Sequence, residues 1–562
     1  MLKPVLVILL LIGFYSCSRK VQPSASHKTI DTIAKEKSIV PFLKKDLFEQ
    51  TNFFVATRIV DIDKNNVGNK YFSVFVSSND SIFNLYKKNE YQLFWGDEKK
   101  FQRALDVLKE SKNEGLDPED YHVNLLTKEF ESYKLKDSLV INDAVSLELL
   151  MSKSMYTYIN HLHFGRVDPI TIYPEWNYKR PSEAAVSDSN LVDVFNNNVT
   201  NIAPAFRPKI FFYESLRKAL IESDSLEVYG FGAKSIPYIG RKLQKGDTSF
   251  IIVEIKKRLN ATTQYDINAI DNVFNDDLVS NIKIFQAHVG LKPTGIIDKT
   301  TLNKINYTPN EIRNTIRANM ERCRWFNEDI DSEKEFVLIN IPDYTLSYFK
   351  NGKVDYSERI IVGRVMNQTP VFESKIATVE FNPYWTVPKS IAVKEILPSL
   401  KKDPSYLEKH NMVLYQGADI VETPASFDSY TEKNFPFVIK ENPGEKNSLG
   451  QVKFLFPNPY SIYMHDTPAK YLFDNDVRSF SHGCIRLHDP IKFANYLLSK
   501  EGFKPSQIQD ILKSDKNYAI ALKTKIPIMI SYFTCYMKKG DSRLYFFSDI
   551  YGSDKKIINA LD

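Results

Sequence analysis

Over residues 43–240 the apolar positions recur every three or four residues, a spacing that predicts helices. Phe101–Leu116, Val140–His163 and Phe206–Glu222 are the clearest stretches, and Gly115-Leu116-Asp117-Pro118 ends the first with a Gly and then a Pro. A second helical unit occupies 245–306. It begins around Val253–Leu259, places Phe285-Gln286 on an amphipathic helix, turns between Leu291 and Gly295, and starts a last helix at Asp298. Phe285, Leu291 and Leu302 are its expected core. Residues 311–330 read as a helical lead-in containing Cys323 and Trp325. From Phe336 the period becomes two. Phe336–Ile341, Thr345–Lys350 and Val354–Val362 alternate, and Asn351-Gly352 supplies a tight hairpin turn. Between Pro388 and about Gly450 the alternation breaks. Ile391–Leu400 and Asp403–Asn411 read as helices, followed by a polar stretch containing proline, so a helical insertion is expected over about 389–450. An insertion of that size in a β domain is more often functional than idle. Strand character returns in Pro527–Met537 and Tyr545–Asp549, which would complete the β structure of residues 311–552. The fold class is multidomain α+β.

One apolar run does not belong to this pattern. Lys3 precedes Val5–Ile12, which is too short to span a bilayer as a mature helix, and the run ends at Ser16-Cys17. A cysteine directly after such a segment, preceded by a small residue, resembles a bacterial lipoprotein signal over 1–17. The implied outcome is export and lipidation of Cys17, with acyl chains holding the protein on a membrane. Ordinary cleavage near Cys17 is the alternative and also implies export. Residues 18–42, rich in Lys, Ser and Thr, read as a flexible tether. With 43% hydrophobic and 25% charged residues the rest is a globular chain, and a net charge of +5 gives no reason to invoke nucleic acid. Of the four cysteines, Cys323 and Cys535 are expected as buried free thiols, with a disulfide between them as the alternative.

Chemistry concentrates in Ser481-His482-Gly483-Cys484-Ile485-Arg486-Leu487 and, upstream, in Tyr463-Met464-His465-Asp466. A cysteine nucleophile works as the thiolate, yet its ordinary pKa is about 8.5, so a neighbouring imidazole must take the proton. His482, two residues from Cys484, would share its face in an extended segment. His465 lies nineteen positions upstream, far enough for a strand, a turn and a return. Serine and glycine before the nucleophile suit a tight turn whose N–H groups converge on an oxyanion. Arg486 is a fixed cation able to grip a carboxylate. A zinc site is the competing reading, since Cys484, His482, His488 and His465 are all ligand types. Against it, neither Cys-x-x-Cys nor His-Glu-x-x-His spacing occurs. No metal and no cofactor are expected. The pair His161 and His163 is read as structural.

The spacing from His465 to Ser-His-Gly-Cys-Ile-Arg resembles the YkuD-type L,D-transpeptidases. The flanks Ile361-Val362-Gly363-Arg364, Thr369-Pro370, Asn382-Pro383-Tyr384-Trp385-Thr386-Val387-Pro388, Asn447-Ser448-Leu449-Gly450 and His465-Asp466-Thr467-Pro468 resemble the large YcbB-like branch. The resemblance implies a helical scaffold domain (43–240), a peptidoglycan-binding-like module (245–306) and a β-sandwich catalytic domain (311–552) with a capping insertion. It also implies Cys484 as nucleophile, His465 as base and the Asp466 backbone carbonyl as third partner. Gly483 and Cys484 would supply oxyanion N–H groups, with Ser481 and His482 in support. Arg486, Tyr463 and Trp385 would bind substrate, although Trp385 reads equally as core. The implied substrates are a donor tetrapeptide stem of peptidoglycan and an acceptor amine, with carbapenem-type β-lactams as inhibitors and a Gram-negative-type periplasm as location. Two alternatives stay open. The same site could hydrolyse its thioester as an L,D-carboxypeptidase or endopeptidase, or the chain could be a non-catalytic, lipid-anchored wall-binding protein.

Overall fold

The computed structural model describes residues 81–90, 92–135, 138–139, 141–228, 234–261, 265–326 and 334–562, together with the pair Ile33–Ala34. The signal segment with Cys17, nearly all of the expected tether and residues 43–80 lie outside the described residues.

The N-terminal domain is helical, as its periodicity implies. Helix α1 (Glu98–Lys109) opens on Asp97, whose carboxylate accepts from Lys100 N, and buries Phe101, Ala104, Leu105 and Leu108 on one face. The chain then tightens into a 3-10 turn and stops at Gly115, whose φ of 74° suits glycine. Helices α2 (Val123–Lys134) and α3 (Ile141–Phe164) follow. The helix expected at Phe206–Glu222 instead runs as α4 (Tyr213–Val228). Pro208 is the reason: it forces Arg207 into an extended conformation at ψ 150° and ends a short helix at Phe206. His161 hydrogen-bonds Tyr121 and His163 meets the Ser182 carbonyl, both structural roles.

The small module is three helices, α5 (Phe250–Asn260), α6 (Asp276–His288) and α7 (Lys299–Ile305), each capped by its preceding Ser249, Asn275 or Asp298. Phe285 and Leu302 are in its core and Leu291 is only half-buried against it. The Gln286 amide donates to Thr294, Thr301 and the Ile296 carbonyl, which closes the turn between α6 and α7. Helix α8 (Pro309–Arg324) starts with a Thr308/Glu311 capping box. Its last turns are wholly buried, so Arg322 and Arg324 are paired internally, with Asp554 at 2.6 Å and Glu321 at 2.7 Å. Cys323 and Cys535 are buried free thiols.

The β domain contains β1 (Glu335–Asn340), β2 (Thr345–Lys350), β3 (Lys353–Gly363) and β4 (Phe372–Phe381). An insertion follows with β5 (Trp385–Thr386), β6 (Met412–Gln416), β7 (Asp419–Val421) and β8 (Val438–Glu441). Then come β9 (Val452–Leu455), β10 (Met464–His465), β11 (Ser479–Ser481), β12 (Ile485–Leu487) and β13 (Tyr518–Ser531). Strand order is β11-β3-β12-β10-β9-β4-β13-β1-β2, and β2 also pairs with β3. The expected sandwich is thus one sheet that closes on itself. Strand β3 makes this possible, because its first half pairs with β2 and its last residues pair with β12 and β11. The hairpin turn stands at Asn351 and Gly352, with φ 49° and 72°.

Two further expectations need correction. The insertion is not only helical: β5, β8, β6 and β7 form a four-stranded antiparallel sheet beside the short helices, around Leu400, Leu414, Phe427 and Ile439. Its strands are three to five residues long or shorter and bury one side only, so their alternation is too brief to read. The second correction concerns the closing strands. Strand β13 ends at Ser531, and β14 (Cys535–Met537) pairs with β15 (Leu544–Phe546) outside the main sheet. Side-chain amides intercept the backbone there. Asn340 bonds both Phe533 N (2.7 Å) and Phe533 O (2.9 Å), and Asn319 Oδ1 accepts from Thr534 N at 2.9 Å. The last helix, Ser553–Leu561, buries Ile557 and Leu561 in the same core, past the expected boundary at 552.

Candidate active site

Strands β10 and β12 are parallel neighbours, with Met464 opposite Ile485 and His465 opposite Arg486. Met464, Ile485 and Leu487 are fully buried in the core. Alternation then sends Tyr463, His465, Cys484 and Arg486 to the other face together. A bond from Ile485 N to Tyr463 O (3.1 Å) extends the ladder to the level of Cys484.

His465 is buried, and its Nδ1 donates to the Asp466 carbonyl at 2.5 Å. That bond leaves Nε2 as the acceptor nitrogen. Burial first, and the Arg486 cation second, hold the imidazole pKa down to about 3, so it is a neutral base at ordinary pH. The Asp466 carboxylate is clamped in turn. It accepts from Gln451 N (2.9 Å) and Thr467 N (2.7 Å) and pairs with Lys470 at 2.7 Å. Gly450 leaves room for it, since a Cβ there would stand 2.3 Å from the carboxylate.

The Cys484 thiol is half-buried and lies 3.8 Å from the Ser461 carbonyl. Burial pushes its pKa up, opposed by hydrogen bonds from Tyr463 and by the charge of Arg486. The resting pair is therefore thiol and imidazole. Among the described residues no hydrogen bond joins them, as is common before substrate binds. Arg486 has a buried Nε without a partner, an open donor beside the thiol. The Tyr463 hydroxyl meets both Cys484 and Trp385. Trp385 stands on β5 and packs against the core of the cap, so it serves cap and site together.

The nucleophile loop departs from expectation at His482. Gly483 has φ 120°, which breaks the extended path, so His482 does not share the face of Cys484. It points to the cap instead, with Nε2 2.6 Å from Glu395 and 2.7 Å from Arg364. Ser481 Oγ donates to the Cys484 carbonyl (2.6 Å) and accepts from Gly483 N (3.1 Å). The Gly483 N–H is thus engaged, whereas the Cys484 N–H has no partner among the described residues.

Residues 334–528 match the family model for the L,D-transpeptidase catalytic domain, YkuD. These residues belong to the YkuD family. Ahead of the YkuD domain, residues 80–220 match a Scaffold domain and residues 251–305 a "Putative peptidoglycan binding domain". The chain is 32% identical over 222 residues to a Haemophilus influenzae protein named "Putative L,D-transpeptidase", covering 39% of this chain and 45% of that relative. It therefore spans about half the length of the curated relative it matches. Among solved structures, an L,D-transpeptidase from Xylanimonas cellulosilytica is similar at 13% identity and TM-score 0.18, covering 52% of this chain and all of that one. Another from Stackebrandtia nassauensis is similar at 12% identity and TM-score 0.21, covering 51% and 94%.

The YkuD site holds more than the motif suggested. Glu395 carried no signal in the sequence, and Arg364, Asp466 and Gly450, though they lie in the quoted flanks, gave no sign of the Arg364–His482 contact, the clamped carboxylate or the space it needs. Their contacts reach as far as 118 positions along the chain.

Proposed function

We propose that the chain is a peptidoglycan L,D-transpeptidase that forms 3→3 cross-links through a thioester on Cys484. The observation that supports this best is the shared face of Cys484 and His465 on adjoining parallel strands, with the base oriented by Asp466. Cys484 Sγ attacks the carbonyl at the L-centre of the third residue of a donor tetrapeptide, and its proton passes to His465 Nε2. The Cys484 N–H holds the oxyanion. The Gly483 N–H joins it once Ser481 Oγ releases it. Collapse breaks the amide bond, the imidazolium returns the proton to the leaving D-alanine amine, and the thioester remains. The side-chain amine of an acceptor stem, with diaminopimelate as third residue, then attacks and frees the thiol. Arg486 grips a stem carboxylate while Tyr463 and Trp385 line the approach. An exported chain held at a membrane through Cys17, in a Gram-negative-type periplasm, fits this substrate. Module 251–305 is a further contact to the wall.

The nearer alternative is hydrolysis of the same thioester by water. A cap that excludes water from the thioester would favour transfer. Incubating the protein with tetrapeptide muropeptides and weighing the products decides. Dimers support transfer, and tripeptide without dimers sinks it. A carbapenem should add its mass to the wild-type chain and not to Cys484→Ala. No adduct on folded protein at neutral pH favours a silent wall-binding protein. His465→Ala should stay folded and lose nearly all turnover.

A further inference from the structure

Behind the nucleophile loop lies a buried chain of hydrogen bonds whose directions are chemically determined. Thr369 is 2% exposed. Its Oγ1 accepts from Gly363 N at 2.9 Å, so its single proton goes to the Gly483 carbonyl at 2.7 Å. Thr369 N donates to the Tyr551 hydroxyl at 3.2 Å, and that hydroxyl donates to the Gly363 carbonyl at 2.6 Å. Tyr551 is anchored from its own side: its N–H donates to Tyr532 Oη (2.8 Å), which donates to Asp549 at 2.7 Å. Asp549 also caps the last helix by accepting from Ser553 N and Asp554 N, both at 2.9 Å. No side chain could replace hydrogen at Gly363, where a Cβ would fall 2.0 Å from the Asn367 carbonyl.

The Gly483 carbonyl and the Cys484 N–H belong to one planar trans peptide and point in opposite directions. Pinning the carbonyl to Thr369 on the interior side therefore aims the Cys484 N–H outward, into the site. That N–H is the donor left without a partner among the described residues. We infer that Thr369 and Tyr551 are positioning residues that fix the oxyanion-binding orientation of the Gly483–Cys484 peptide. Tyr551 lies outside the matched catalytic domain, which ends at 528. The segment after that domain thus supplies part of its catalytic geometry. The inference rests on the proposed acyl-transfer function, in which the Cys484 N–H meets a developing oxyanion.

The test compares two reactions of the same thiol in the full chain. Carbapenem acylation develops an oxyanion, whereas alkylation by iodoacetamide develops none. Thr369→Val and Tyr551→Phe should slow acylation roughly 10- to 100-fold while leaving alkylation within about twofold of wild type. Thr369→Ser, which keeps the hydroxyl, should restore acylation. Should Thr369→Val fail to melt cooperatively, Tyr551→Phe carries the comparison, since it keeps the ring. Wild-type acylation with no loss in the variants overturns the positioning role alone. So does an equal loss of acylation and alkylation, which marks general disorder of the loop. A wild-type chain that alkylates but never acylates overturns the acyl-transfer function, and the positioning role with it.

Discussion

At the scale of single residues, burial decides the chemistry of the site. His465 is neutral because solvation is withdrawn and Arg486 stands beside it. Its folded pKa of about 3 lies below the ordinary value of about 6.5, so the unfolded chain takes the proton first as pH falls. Its contribution to stability is complete above about pH 6.5 and is lost progressively towards pH 3, at about 1.4 kcal/mol per pH unit within that window. Urea midpoints at pH 7 and pH 4.5 should therefore fall further for wild type than for His465→Gln, and equal falls would refute the assignment. The thiol behaves oppositely. With its pKa raised by burial, alkylation of Cys484 should keep accelerating past pH 9 and show no plateau between pH 6 and 7. Gly450→Ala puts a methyl 2.3 Å from Asp466 at φ +60°. It should cost more than about 1 kcal/mol on thermal melting and slow turnover as the carbonyl behind His465 shifts. Cys484 and His465 were named from the Ser-His-Gly-Cys-Ile-Arg motif and its spacing to His465, both of which are contiguous in the sequence. The direction of His482 was not legible, because one glycine dihedral between it and Cys484 reverses it.

At the scale of elements, local signals succeeded where hydrogen bonds are local. Helix α3 and the strands β1 to β3 fall within a residue or two of their expected limits, since period, caps and turn residues act within one element. The Asn351-Gly352 turn is the simplest case. Nothing lies within 4 Å of a Cβ at Gly352, so Gly352→Ala should cost about 1 kcal/mol through its φ of 72° alone. A melting temperature unchanged by that substitution would contradict the turn. The failures have a common cause. The sheet of the cap consists of strands too short to show a period, and β13 was cut from β14 by the side chains of Asn340 and Asn319, 193 and 215 positions away.

At the scale of the whole molecule, α8 joins the scaffold to the catalytic domain through buried charge. Glu114 accepts from Arg207 (2.5 Å), Arg217 (2.8 Å) and Tyr213 (2.9 Å), while Arg324 from α8 donates to its carbonyl. Glu114→Ala would remove the buried carboxylate from Arg207 and Arg217 and leave them only the exposed Glu214, at 3.2 and 3.9 Å. It should lower stability by about 2–3 kcal/mol in urea unfolding, less than for a sealed pair because Arg207 and Arg217 keep some solvent. A loss under about 0.5 kcal/mol would refute a stabilising role for the Glu114 carboxylate.

From the sequence alone follow the three-part α+β organisation, the period of most long elements and the cysteine–histidine pair, because each depends on short-range spacing or on a motif read as it stands. Only the tertiary structure decides that the sheet closes, that His482 serves the cap, that the Asp466 carboxylate is clamped and that Thr369 and Tyr551 stand behind the nucleophile loop. Those outcomes depend on backbone dihedrals and on polar groups that meet in the folded chain, from Asp466 and Gln451, 15 positions apart, to Tyr551 and Gly363, 188 apart, and no local pattern encodes such a meeting.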